Sequence, residues 1–216
     1  MKNYEHLKSI NPYVYDEIFN WNVYQVTPEE INNANILDIG GHYGFFSCLC
    51  GSFNAKQIIA VEANPHNYYN FIKNTKDISN VKAINAAVYK EDEKIITISN
   101  ASEQSMLNKG DINVATITLQ RLVELFGNED VFLKMDIEGA EYDTLYNTPT
   151  EVLRRFNTIA IEMHEFVDSS HKFTDLDSFI IQRGFNRVWR GVFYTNYTDG
   201  TTVENNLIAV YKYVRI

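Results

Sequence analysis

The chain has 216 residues, 45% of them apolar and 22% charged, the composition of a folded globular protein and not of a disordered one. Lys and Arg number 19 against 28 Asp and Glu, a net charge of −9 that repels phosphate backbones and anionic lipid, so a nucleic-acid or membrane partner is disfavoured. No run of 18 apolar residues occurs and no apolar leader follows Met1, so the expected location is the cytoplasm.

Residues 1–26 carry Tyr13, Tyr15, Phe19, Trp21 and Tyr24 without a clear period, and are expected to pack over the sheet edge or to form a lid. Thr27-Pro28-Glu29-Glu30 then spells a helix start, with Thr as cap and Glu30 completing a capping box. Ile36–Ile39 reads as a buried strand running into glycines and an apolar helix. That helix holds Cys48 and Cys50, whose spacing points them to different faces, so reduced core thiols are expected and not a disulfide or a thiolate clamp. Gln57–Glu62 is the second strand, and Asn64-Pro65 caps and opens a helix over His66–Asn74.

Val81–Val88 is the third strand, with Lys94–Ser99 expected to pair with it as a hairpin. Val131–Asp136 and Thr158–Met163 follow, separated by helical stretches. Phe185–Phe193 and Leu207–Val214, joined by the turn-like Asn196–Gly200, read as an antiparallel hairpin that closes the sheet. The alternation predicts an α/β fold, a mostly parallel sheet with helices on both faces. Arg183, Arg187 and Arg190 form the nearest approach to a basic patch.

The segment Asp38-Ile39-Gly40-Gly41-His42-Tyr43-Gly44 is the most informative. Glycines after a strand permit a tight turn and close approach of a ligand to the backbone. A dinucleotide loop needs G-x-G-x-x-G, and residue 42 is not glycine. Asp38 at the strand end would repel a pyrophosphate but suits the sulfonium and ammonium of S-adenosylmethionine. Glu62, at the end of the next strand, is placed to accept hydrogen bonds from ribose hydroxyls.

These residues resemble the FkbM-like family of S-adenosylmethionine-dependent methyltransferases. The likeness spans roughly Ile36 to Val210. Asp38–Gly44 looks like its cofactor loop, Val61-Glu62-Ala63-Asn64-Pro65 like its ribose turn, and Asn85-Ala86-Ala87-Val88 like the edge beside the adenine. Lys134-Met135-Asp136-Ile137-Glu138-Gly139-Ala140-Glu141 matches its Asp-hydrophobic-Glu-Gly-x-Glu run, and Ile161-Glu162-Met163-His164 its next strand. The family usually has Ala-Asn where this chain has Gly41-His42. Either side chain can donate to the methionine carboxylate.

The resemblance implies a Rossmann-like methyltransferase fold, a seven-stranded sheet with its last strand reversed. It divides the chain into an N-terminal helical and aromatic segment, residues 1–35, and a cofactor-binding methyltransferase domain, residues 36–216. The implied cofactor contacts are Asp38, Gly40, Gly41, His42, Tyr43, Gly44, Glu62, Ala63, Ala86 and Asp136. The implied activity is O-methylation of a small-molecule hydroxyl, with sugars, glycans and secondary metabolites as acceptors; a nucleic-acid methyltransferase on the same fold and a non-catalytic cofactor-binding protein are the alternatives.

Methyl transfer from a sulfonium is an in-line displacement, helped by a base that takes the acceptor proton. Asp136, Glu138 and His164 are the expected catalytic residues, with His164 the base because an ordinary imidazole is largely unprotonated at neutral pH. A divalent cation held by Asp136 with Glu162 or His164 is a second route, one that the sequence does not require. Glu141 reads as a structural hydrogen-bonder, and His66 and His171 as solvated. Choice of acceptor is expected to fall to residues 1–35, Asn100–Asn113 and Phe166–Asp175, with Ser102–Leu107 near the cofactor.

Overall fold

The computed structural model describes residues 4–99, 110–165, 170–198 and 203–216. Ser102–Leu107, and parts of Asn100–Asn113, Phe166–Asp175 and Asn196–Gly200, lie outside them. In chain order the elements are α1 (Glu5–Lys8), α2 (Pro12–Tyr15), a π-helical turn (Asp16–Asn20), α3 (Pro28–Ile31), β1 (Asn35–Ile39), α4 (Phe45–Ser52), β2 (Gln57–Glu62) and α5 (Pro65–Thr75). Next come β3 (Val81–Asn85), β4 (Ala87–Val88), β5 (Ile95–Ile98), β6 (Ile112–Ile117), α6 (Leu119–Glu124), β7 (Val131–Met135) and α7 (Glu141–Tyr146). The series ends with α8 (Thr150–Leu153), β8 (Phe156–Glu165), α9 (Phe173–Ile181), β9 (Phe185–Thr198) and β10 (Val203–Arg215).

Seven strands form the main sheet in the order β3-β2-β1-β7-β8-β10-β9. The first five are parallel, and β10 runs antiparallel to both β8 and β9, giving the Rossmann-like sheet with a reversed terminal hairpin. The chain steps outward from β1 through β2 to β3 and then returns to the far side of β1 as β7. That reversal opens a crevice at the carboxyl ends of β1 and β7.

The local signals act as the side chains require. Thr27 accepts from the Glu30 N–H while Glu30 accepts from the Thr27 N–H, a complete capping box. Asn64 accepts from the N–H groups of His66 and Asn67, and Pro65 starts α5. Cys48 and Cys50 are free and fully buried on α4.

One pairing differs from expectation. Lys94–Ser99 does not pair with Val81–Val88: β5 lies antiparallel to β6, in a small sheet ordered β4-β6-β5. Val81–Val88 divides at Ala86 into β3, which joins β2, and β4, which joins β6. The period-2 run of β6, with Val114 and Thr116 inward, is the partner that β5 takes instead.

The main sheet is covered on both faces. One face packs Leu37, Ile59, Leu133 and Ile161 against α6, α7 and α9 through Leu122, Tyr142 and Leu176. The other packs Ile36, Ile58, Phe132 and Val210 against α4 and residues 4–31 through Phe46, Leu7 and Ile31. Leu7 and Ile31 are fully buried, and each such side chain contributes roughly 1.5–3 kcal/mol. Lys212 of β10 pins the same segment, bonding the Gln25 carbonyl and the Glu30 carboxylate, the latter at 2.6 Å. The aromatic N-terminal stretch therefore lies on a sheet face, beside the crevice. Among the described residues, no helix is long and apolar enough to cross a membrane.

Candidate active site

A cavity of about 390 Å³ opens at the carboxyl ends of β1, β2, β7 and β8. Its first wall is the glycine loop. Gly40 has φ +75°, and a Cβ there would lie 1.7 Å from the Asp136 carbonyl oxygen, so only glycine lets β1 and β7 end this close together. The N–H groups of Gly40 and Gly41 donate to the Val61 carbonyl at 2.9 and 3.0 Å, locking the loop to β2. His42 follows with φ +47° and its ring stacked on Tyr43, centroids 4.1 Å apart. Burial drives its pKa down to about 4, which favours a neutral imidazole, and its Nε2 is buried with no hydrogen-bond partner among the described residues.

Glu62 closes this wall. One carboxylate oxygen accepts from the His42 N–H and the other from the Asn64 N–H, both at 2.8 Å. Burial pushes the Glu62 carboxyl up to about 7, against the pull of those two N–H groups. Each oxygen keeps a lone pair for a ligand.

Gly40, Gly41, His42, Glu62, Ala63, Ala86 and Asp136 all line the cavity, but Asp38, Tyr43 and Gly44 do not. Asp38 is fully buried, accepts from the Ser47 hydroxyl at 2.7 Å and lies 3.7 Å from Lys134 Nζ. Lys134 also donates to the Gly40 carbonyl at 2.8 Å and sits 3.7 Å from Asp136. Burial works to discharge this lysine, but the charges of Asp136 and Asp38 outweigh it and hold the ammonium. Asp38 is thus linked through Lys134 to the loop.

The second wall is acidic. Glu162 and His164 alternate onto one face of β8, and Asp136 follows the last residue of β7. The chain then turns through Glu138 (φ +54°) and Gly139 (φ +96°) into α7, bringing Glu138 back over the imidazole. His164 Nε2 lies 3.4 Å from Glu138, 3.6 Å from Glu162 and 4.0 Å from Asp136. On the other side of the ring, Nδ1–H donates to Glu141 Oε1 at 3.1 Å, and that oxygen also accepts from the Ile137 N–H. Glu141 is a structural hydrogen-bonder, as its position in the first turn suggested.

These contacts bear on the protonation of His164. Burial lowers its pKa, but the charge and hydrogen bond of Glu141, with the charges of Glu138 and Glu162, raise it well above the usual value. The acidic surroundings thus favour the protonated ring. Burial pushes Glu138 and Glu162 up to about 8. Asp136, Glu138 and Glu162 also reach the cavity more fully than His164, their side chains being 28%, 22% and 20% exposed against 4%.

Tyr24 completes the wall from the N-terminal segment. Its hydroxyl lies 3.3 Å from Asp136 Oδ2 and 3.4 Å from Glu162 Oε2, and its ring packs edge-on against Phe46. Lys134 opens the matched Lys134–Glu141 run and Tyr24 is one of the aromatics of residues 1–26, but neither context assigns the residue to this position. His171, expected in solvent, is half-buried and stacks on Tyr142 at 4.5 Å.

The Methyltransferase FkbM domain model matches residues 38–187, from Asp38 to the first part of β9. The chain belongs to the FkbM methyltransferase family. Two solved structures share the fold of this FkbM protein at low identity. The Pyrococcus horikoshii protein PH1948, named a "putative RNA methyltransferase", is 13% identical with a TM-score of 0.54, covering 94% of this chain and 83% of its own. TrmK of M. capricolum, solved with S-adenosylhomocysteine, is 12% identical with a TM-score of 0.52, covering 91% of this chain and 68% of its own. No curated protein matches this FkbM chain.

Proposed function

We propose that this FkbM methyltransferase moves a methyl group from S-adenosylmethionine to a hydroxyl of a small molecule, of the sugar, glycan or secondary-metabolite class. The observation that carries this reading is the meeting of two walls in one cavity, a glycine loop with Glu62 on one side and Asp136, Glu138, Glu162 and His164 on the other. S-adenosylmethionine, when bound, supplies an electrophilic methyl group on a cationic sulfur.

The donors of the first wall fit that cofactor. The spare lone pairs of Glu62 suit two vicinal ribose hydroxyls, and Ala63 and Ala86 leave room for a flat base beside them. The buried, unpartnered Nε2 of neutral His42 suits the methionine carboxylate. A site this rich in carboxylates favours a sulfonium and an ammonium and repels the pyrophosphate of a dinucleotide.

The second wall deals with the acceptor. A hydroxyl oxygen attacking in line must shed its proton, and the groups that line the cavity here are carboxylates and the His164 imidazole. His164, Asp136 or Glu138 takes that proton, with Glu141 fixing the orientation of the imidazole. Residues 1–35 supply the acceptor side, since Tyr13, Val14, Glu17 and Tyr24 line the cavity there, while residues 36–216 hold the cofactor. A phosphate-rich acceptor is disfavoured by the net charge of −9 and by the engagement of the arginines. Arg187 pairs with Asp177, and the Arg183 guanidinium lies 3.2 Å above the Phe179 ring.

Thermal unfolding with separate additions of S-adenosylmethionine, S-adenosylhomocysteine and NAD tests the cofactor half. A ligand at 100 times its dissociation constant stabilises by about 2.7 kcal/mol, a shift of roughly 5–11 °C for a chain of this size. Shifts with both sulfur compounds and none with NAD are expected; a shift with NAD alone overturns the reading. Filter binding with RNA tests the acceptor half, and tight retention of RNA would replace the small-molecule class.

A further inference from the structure

We infer that Asp136, Glu138 and His164 form a binding site for a divalent cation of the Mn2+ or Zn2+ type, buttressed by Glu141 and Tyr24. The site is defined by the chain's own geometry. Its use in raising the acidity of an acceptor hydroxyl rests on the function proposed above.

Spacing is the first argument. One donor atom from each of the three residues can be chosen so that all lie within 4.8 Å of one another. The Nε2 distances to the carboxylates, 3.4 to 4.0 Å, are long beside the roughly 2.7–2.9 Å of a charge-assisted hydrogen bond. They match two donors sharing one ion. Ligands about 2.1 Å from a metal are separated by roughly 3.0 Å at a right angle and by roughly 4.2 Å across the ion.

The orientation of each donor is the second argument. Glu141 takes the Nδ1–H of His164, which fixes the ring with Nε2 toward the carboxylates, the carboxylate–histidine arrangement that tunes metal-ligating imidazoles. Tyr24 reaches Oδ2 of Asp136 and Oε2 of Glu162. The opposite oxygens, Oδ1 and Oε1, are the ones nearest to Nε2. The outer atoms are held and the inner atoms converge.

Charge is the third. Four carboxyl groups, from Asp136, Glu138, Glu141 and Glu162, surround one imidazole. The nearby ammonium of Lys134 is shared between Asp136 and Asp38. A divalent ion offsets that excess, taking the place of a proton on Nε2 when it binds. One nitrogen with two or three carboxylate oxygens suits Mn2+ or Zn2+ better than an oxygen-only site would. The cluster also opens onto the cavity, which leaves a coordination position for an acceptor oxygen.

The test is a titration of chelator-dialysed protein with MnCl2, read by the loss of the electron-paramagnetic-resonance signal of free Mn2+. One Mn2+ per chain is expected, displaced by ZnCl2. Glu138→Gln and His164→Gln should each weaken binding at least tenfold, and Tyr24→Phe by a smaller factor, while Glu151→Gln on α8 leaves it unchanged. The S-adenosylmethionine shift of each variant reports that its fold is intact. No saturable Mn2+ or Zn2+ binding by the wild type overturns the site, as does binding unaltered in both ligand variants. Loss of metal binding alone, with the cofactor shift retained in the wild type, would refute the ion and leave methyl transfer standing.

Discussion

The hydroxyl of Tyr24 lies 3.3 Å from Oδ2 of Asp136, across a sequence separation of 112 residues, and joins the N-terminal segment to the acidic wall of the cavity. The same hydroxyl reaches Glu162, so one phenol bridges carboxyl groups from the ends of two adjacent strands. Replacing Tyr24 by Phe keeps the ring on Phe46 and removes only the donor. Both contacts are long, which places the loss near the low end for bonds to charged groups, about 1.5 kcal/mol. A fall of roughly 3–6 °C in the unfolding midpoint is expected. An unchanged midpoint would show that the bridge contributes nothing to holding the segment down.

Gly40 and Gly184 both have positive φ, +75° and +94°, but their surroundings differ. At Gly184 nothing lies within 4 Å of the point where a Cβ would stand, so Gly184→Ala meets backbone strain alone, about 1–2 kcal/mol. Gly40→Ala adds a collision with the Asp136 carbonyl, and a loss above about 4 kcal/mol is expected. Equal midpoints for the two variants would contradict the close approach of β1 and β7.

Lys134 is the cation between Asp38 and Asp136, and it also holds the Gly40 carbonyl. Lys134→Met leaves two carboxylates without their partner, and breaking such buried pairs costs about 3–5 kcal/mol. The variant should regain part of that loss on mild acidification, as the orphaned carboxylates take up protons. Calorimetry at a series of pH values checks this. A variant that loses stability in parallel with the wild type as pH falls would argue against the pairing.

Glu62 has a folded-state pKa raised from 4.5 to about 7 by burial. A raised carboxyl binds its proton more tightly when folded, so its contribution to stability is present below pH 4.5 and is lost as pH rises to about 7. Ribose hydroxyls donate to the ionised form, so cofactor affinity should rise over the same interval. About a tenfold gain between roughly pH 6 and pH 8 is expected for one linked proton. Glu62→Gln should flatten the profile, and a wild-type affinity independent of pH would exclude ionised Glu62 as the acceptor.

The strands that carry the site were readable because each is a short apolar run ended by glycine, an acid or a cap. β1, β2, β7 and the reversed hairpin all fall where that pattern puts them. The Lys134–Glu141 run and Glu162-Met163-His164 were legible as a cluster for the same reason, since both motifs follow or end a strand at the same end of the sheet. The β5 pairing was not legible, because a four-residue strand has two sheet edges to choose from and its sequence does not name one. Nor were the surroundings of His164, which gather four carboxyl groups along the chain from Asp136 to Glu162. Tyr24 is one of several aromatics in residues 1–26, which have no period to single it out, and the packing of Leu7, Ile31 and Lys212 helps to bring that segment over the sheet.

The sheet order β8-β10-β9 has a consequence for how the molecule opens. Strand β9 is at the edge, and β10 stands between it and the parallel part of the sheet. The β9–β10 ladder runs from Thr198↔Val203 to Phe185↔Arg215, while the β10–β8 ladder spans only Leu207↔Glu165 to Val214↔Thr158. The hairpin is therefore held more extensively within itself than to its neighbour. It should detach and dock as one cooperative unit, exposing the β8 edge and the imidazole wall together. In native-state hydrogen exchange, the amides of β9 and β10 would then share a single opening free energy, below that of β1 and β7.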